Sequence, residues 1–118
     1  MLPGRLTTHV LDTAGGCPAS GIPIRVTLLN PTAQLLATAV TNADGRCDAP
    51  LLESPAFRPG RYELSFLVGA YFRRHHPELP DPPFLDEIVV RFGIQAADRY
   101  YHVPLLVSPY SYSTYRGS

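Results

Sequence analysis

Proline and glycine break this chain at short intervals, thirteen of one and nine of the other among 118 residues, and that spacing leaves no room for long helices. Short strands joined by turns survive such punctuation. Arg5–Leu11 reads as a first strand, ended by Asp12-Thr-Ala-Gly-Gly16. Ile22–Asn30 alternates from Ile24 onward and is closed by Pro31; Leu35–Asn42 follows after a short connection, so the two are expected to pair as a hairpin. Asn42-Ala-Asp-Gly-Arg46 is a turn in which Asp44-Gly45 can take positive φ at low cost. Arg61–Val68, Glu87–Ile94, Tyr100–Val107 and Tyr110–Tyr115 complete the strands. Only Gly69–His76 reads as helical, and Pro77, Pro80, Pro82 and Pro83 then enforce an extended loop. The expected fold is all-β: a two-sheet antiparallel sandwich with one short helix, in one domain over residues 1–118 without repeat or linker.

Ten basic and ten acidic residues give zero formal charge, and no basic run suggests nucleic acid or an anionic membrane surface. Every basic residue is arginine. Schiff-base chemistry and a lysine base are therefore excluded. No apolar run is long enough to span a bilayer. The opening Met1-Leu-Pro-Gly-Arg5 lacks the features of a signal peptide, so Cys17 and Cys47 are expected as free thiols in a reducing cytoplasm.

Strand parity sets two histidines apart. In the first strand Leu6, Thr8 and Val10 share one face, and Thr7, His9 and Leu11 the other. In Tyr100–Val107 the apolar face is Tyr101, Val103, Leu105 and Val107, which puts His102 opposite, with Tyr100, Pro104 and Leu106. If one sheet holds both strands, His9 and His102 converge on one surface; otherwise they are two solvated strand histidines, the commoner case. Arg46 follows a tight turn, where its fork of donors suits a planar, oxygen-rich ligand, although most turn arginines are merely solvated. The terminal Ser108-Pro-Tyr-Ser-Tyr-Ser-Thr-Tyr-Arg-Gly-Ser118 is dense in hydroxyls and reads equally as a docked segment or a Tyr-rich edge. His75-His76 with Glu78 has no third group spaced to hold a metal, and it reads as a solvated helix end. Zinc-type spacing, a phosphate loop and a serine nucleophile elbow are all missing from the sequence.

Three blocks carry a family resemblance: Leu6-Thr-Thr-His-Val-Leu-Asp-Thr-Ala-Gly-Gly-Cys-Pro-Ala19 with Gly21-Ile-Pro-Ile24, then Thr41-Asn-Ala-Asp-Gly-Arg46, then Tyr100-Tyr-His-Val-Pro-Leu-Leu-Val-Ser-Pro109 running into Tyr112-Ser-Thr-Tyr-Arg-Gly-Ser118. Together they resemble the 5-hydroxyisourate hydrolases, the transthyretin-related enzymes of purine degradation. The resemblance implies a transthyretin-like sandwich assembled as a homotetramer, with sites in a channel between dimers. It implies ring opening of 5-hydroxyisourate to 2-oxo-4-hydroxy-4-carboxy-5-ureidoimidazoline by histidine-assisted attack of water, without metal or cofactor. Carried over by motif, His9, Arg46, His102 and Ser118 are the catalytic set, with His9, Arg46 and Tyr115 holding substrate. A transthyretin-like small-molecule carrier is the alternative, but such carriers lose those histidines, the arginine and the terminal tetrapeptide.

Overall fold

The computed structural model describes residues 4–117. Its strands are β1 (Arg5–Asp12), β2 (Cys17–Pro18), β3 (Pro23–Leu28), β4 (Gln34–Val40), β5 (Leu52–Glu53), β6 (Gly60–Leu67), β7 (Glu87–Ile94), β8 (Tyr100–Val107) and β9 (Tyr112–Thr114), with one helix, α1 (Gly69–His75), between β6 and β7. They form two sheets, β2-β1-β8-β9 with β5 also on β1, and β4-β3-β6-β7. The two-sheet sandwich with one short helix expected from sequence is the fold observed, antiparallel throughout but for one pairing.

One pairing departs from the antiparallel rule. β1 and β8 run parallel in unbroken register from Arg5↔Tyr100 to Asp12↔Val107. A hairpin cannot join parallel neighbours; here the connection contains the whole second sheet, so the chain returns to β1 from far away. The two-residue strands β2 and β5, too short to show alternation, pair antiparallel with the ends of β1. β9 is shorter than the Tyr110–Tyr115 segment because Ser108 and Ser111 close a turn first: Ser108 N–H donates to Ser111 O at 2.9 Å. β3 and β4 form the expected hairpin, with an irregularity between Val26 and Thr27.

The sheets bury one face each. Leu6, Val10 and Leu105 from the first meet Ile24, Val26, Leu64, Phe66 and Ile88 from the second, all essentially inaccessible. Each such side chain contributes roughly 1.5–3 kcal/mol relative to exposure. At the end of β1, buried Asp12 accepts the Tyr71 hydroxyl of α1 at 2.8 Å and the Gly15 N–H at 2.8 Å. Burial, and then the Asp12 carboxylate, push the Tyr71 phenol well above its ordinary range, so it stays a donor. The helix is thereby fastened to the strand that carries His9. Basic Arg73, Arg74 and His75 fill the last helical turn, where cations suit the dipole. No helix among the described residues is long and apolar enough to cross a membrane.

Candidate active site

The outer face of the five-stranded sheet collects the chemistry. Along β1 the burial alternates, with Leu6, Thr8, Val10 and Asp12 inward and Arg5, Thr7, His9 and Leu11 on the accessible side. Parallel register places Thr7 beside His102 and His9 beside Pro104, so both histidines stand on the same face of adjacent strands. That resolves the parity question in favour of convergence.

Arg46 joins them from the other edge of β1. β5 covers Arg5–Leu6 and β2 covers Leu11–Asp12, which leaves a gap filled by an isolated bridge between His9 and Arg46. The turn that delivers Arg46 is held tightly. Asn42 Oδ1 accepts the N–H groups of Asp44 at 2.9 Å and Arg46 at 3.2 Å, and its Nδ2 donates to Asp48 Oδ1 at 2.9 Å. Gly45 has φ of 74° and lies against the Val10 carbonyl, where a Cβ has no room; its own carbonyl accepts the Val10 N–H at 2.8 Å. Buried Thr41 anchors the turn's start, accepting Ile22 N–H at 2.9 Å and donating to Ala19 O at 2.7 Å. The Arg46 guanidinium has no ion-pair or hydrogen-bond partner among the described residues, although it sits on a rigid base.

Each histidine has one ring nitrogen engaged. His9 Nε2 lies 2.9 Å from Asp44 O. A carbonyl only accepts, so Nε2 carries a hydrogen and donates it. His102 Nδ1 lies 2.8 Å from Thr7 Oγ1, which is itself 2.7 Å from the Tyr100 hydroxyl. Burial, followed by the Arg46 cation and then His9, holds His102 below the usual histidine value of about 6.5. At neutral pH His102 is therefore an unprotonated base. Thr7, Tyr100 and Arg46 also border a half-open recess of ≈ 170 Å³, together with Ala49 and Pro50.

The C-terminal segment continues the sheet past β9. Gly117 bridges His102, its N–H donating to His102 O at 2.8 Å, and a Cβ on Gly117 would fall 2.6 Å from His102 Cδ2. Arg116 lies over the Tyr101 ring at 4.1 Å and donates to Tyr100 O at 3.3 Å. Tyr115 is 61% exposed and borders a separate apolar recess with Val90, Phe92 and Val103. It makes no hydrogen bond to His9, Arg46 or His102 among the described residues. Ser118 lies outside the described residues. His9, Arg46 and His102 are thus brought together, with Gly117 packed on the last, while Tyr115 stands apart within one chain.

Sequence reasoning gave no role to Thr7 or Tyr100. Parity already put them on the faces of His9 and His102, but their contact depends on a pairing between strands some ninety residues apart. Cys17 and Cys47 are free thiols, and burial followed by neighbouring Asp48 raises Cys47, so it is a poor nucleophile. His75 and His76 remain at the helix end, where His76 sits 3.6 Å from Glu78.

The sequence matches the HIUase/Transthyretin family over residues 6–117. It is 59% identical over 116 residues to the 5-hydroxyisourate hydrolase of Pseudomonas aeruginosa, covering 98% of this chain and 92% of that protein. The structure of Klebsiella pneumoniae 5-hydroxyisourate hydrolase superposes with a TM-score of 0.80 at 34% identity, covering 100% of both chains. Transthyretin from Sparus aurata superposes with a TM-score of 0.85 at 28% identity and 96% coverage of each.

Proposed function

Since this chain belongs to the HIUase/transthyretin family, we propose that it hydrolyses 5-hydroxyisourate, opening the cyclic amide to 2-oxo-4-hydroxy-4-carboxy-5-ureidoimidazoline as a single domain over residues 1–118. The observation that carries this reading is the convergence of His9, His102 and Arg46 on one sheet face, with His102 kept neutral. The substrate is a compact bicycle rich in carbonyl oxygens. Water adds to a ring carbonyl: its oxygen forms the new bond to carbon while one of its protons passes to a histidine. The carbon–nitrogen bond then breaks, and that proton returns to the ring nitrogen that leaves.

His102 is the base in this scheme, with His9 orienting the water from the next strand. Arg46 binds substrate oxygens and stabilises the oxyanion that forms, an effect of about 3 kcal/mol for one well-placed donor. No step calls on a metal or cofactor. The sites complete themselves in a homotetramer, in a channel between dimers where Tyr115 and Ser118 line or orient the substrate. Two features support such an assembly. Among the described residues β7 and β9 are sheet edges without a second partner, and the histidine-bearing face also exposes part of Leu11 and Leu106. The free thiols suit a reducing cytoplasm.

A transthyretin-like carrier is the rival on the same fold. An unprotonated histidine beside an arginine that has no partner among the described residues, on a rigid turn, favours hydrolysis, as does the named activity of the bacterial relatives. Kinetics of His102→Asn test the site: kcat falls by roughly 100-fold or more if that ring transfers protons. Wild-type turnover by the variant removes His102 from the mechanism. Light scattering tests the assembly, and a folded, active monomer contradicts it.

A further inference from the structure

A neutral imidazole carries a single N–H, and which nitrogen holds it decides whether the ring can act as a base. Among the described residues the His102 ring has one hydrogen-bond partner, Thr7 Oγ1, 2.8 Å from Nδ1. Nε2 has none. Thr7 Oγ1 also lies 2.7 Å from the Tyr100 hydroxyl. A threonine hydroxyl gives one hydrogen and accepts others, so it can join two such groups in a chain.

We propose that Thr7 is a positioning residue for the reaction: its hydroxyl accepts the Nδ1 hydrogen of His102 and donates its own to the Tyr100 oxygen, leaving Nε2 of His102 as the free base. The proposal rests on the hydrolase reading above and names the device that sets its base. In this direction Nε2 keeps its lone pair and can take a proton from water. The reverse direction, with Thr7 donating to Nδ1, puts the hydrogen on Nε2 and disables it.

The surroundings hold this chain in place. Thr7 is β-branched and sits in regular strand, so its hydroxyl has few rotamers. The parallel register fixes Thr7 directly beside His102. The Tyr100 ring stacks on the imidazole, centroids 6.0 Å apart and planes 23° from parallel, while Arg5 caps the Tyr100 ring at 4.8 Å. Gly117 closes on the Cδ2 edge of the imidazole, which restrains the ring from turning over. Tyr100 is 39% exposed, so its own hydroxyl hydrogen is free to meet solvent or a substrate oxygen.

The test combines kinetics with nitrogen-15 NMR of the histidine rings at neutral pH, using His102→Asn to assign the resonance. In wild type the expected spectrum shows His102 protonated at Nδ1 and bare at Nε2. Thr7→Val keeps the shape and strand preference but deletes the hydroxyl. It should lower kcat about ten-fold, the worth of one hydrogen bond, with KM little changed and a His102 tautomer shifted towards Nε2–H. Thr7→Ser should restore both kcat and the tautomer, and Tyr100→Phe should lower kcat by a smaller factor. A wild-type His102 protonated at Nε2 overturns the proposal, as does a Thr7→Val protein with wild-type kcat and tautomer. A Thr7→Ser protein as slow as Thr7→Val would mean that strand packing, not the hydroxyl, matters. If the wild type does not hydrolyse 5-hydroxyisourate, the functional reading fails, while the NMR arm still decides the hydrogen-bond direction.

Discussion

Adding one methyl group at Gly117 separates the site's geometry from the fold's stability. The Cβ of Gly117→Ala would lie 2.6 Å from His102 Cδ2, 3.2 Å from its Cγ and 3.3 Å from its Cβ. Ordinary contact begins near 3.4 Å, so either the ring or the terminal segment must withdraw by close to an ångström. Backbone strain is not involved, because Gly117 is not among the positive-φ glycines. If the tail yields, the Gly117 N–H bond to His102 O is lost, which costs about 1 kcal/mol at an accessible sheet edge. If the ring yields, its nitrogen leaves the position set by Thr7. A misplacement of about 1 Å in a reacting group can lower a rate by 10²-fold. The expected variant is folded, with a melting temperature a few degrees below wild type, but with kcat reduced by about two orders of magnitude. Decay of freshly generated 5-hydroxyisourate, followed by ultraviolet absorbance beside a thermal melt, reads both quantities. Wild-type kcat in Gly117→Ala would show that the packing of the tail on His102 plays no part in catalysis.

Other perturbations probe the remaining parts. Asn42→Ala removes three hydrogen bonds that brace the Arg46 turn; it should lower kcat several-fold, less than loss of Arg46 itself, and raise KM as well, measured by steady-state kinetics on the same substrate. Arg46→Ala should lower kcat by about 10²-fold, as expected for one oxyanion donor, and near-wild-type kcat would remove it from that role. The pH dependence follows from His102, whose folded value is held below about 6.5, first by burial, then by Arg46 and His9. The base form thus persists to lower pH than for a free histidine, and the acid limb of kcat/KM should fall below that value. The sign for stability follows from the same shift: below about 6.5 the unfolded chain binds the proton first, so the stability present above that pH declines as pH drops towards the folded value. His102→Asn should flatten that part of a stability-against-pH curve.

Much of this architecture was legible because alternation is local. Glu87–Ile94 and Tyr100–Val107 emerge with the ends read from sequence, and the outward placement of His9 and His102 follows from counting residues along a strand. The parallel pairing of β1 with β8 was not legible, since no local pattern tells a strand which distant neighbour it will take. That pairing turns two separate histidines into one site and brings Thr7 to His102. β2 and β5 escaped for a simpler reason: two residues show no period. Arg46 was visible as a residue after a turn, but not as the filler of a gap in the edge of β1, which depends on where β2 and β5 stop. Gly117 could be recognised by motif, whereas the need for a missing side chain became visible only with the His102 ring beside it.

The most direct test of the central claim supplies 5-hydroxyisourate from urate and urate oxidase, with wild-type protein and His102→Asn run in parallel against spontaneous decay. Ultraviolet absorbance follows loss of substrate, and carbon-13 NMR identifies the first product. The account predicts decay accelerated in proportion to wild-type concentration, ring-opened 2-oxo-4-hydroxy-4-carboxy-5-ureidoimidazoline as that product, and little acceleration by the variant. Decay at the spontaneous rate in the presence of folded wild-type protein would contradict it and leave the carrier reading in its place.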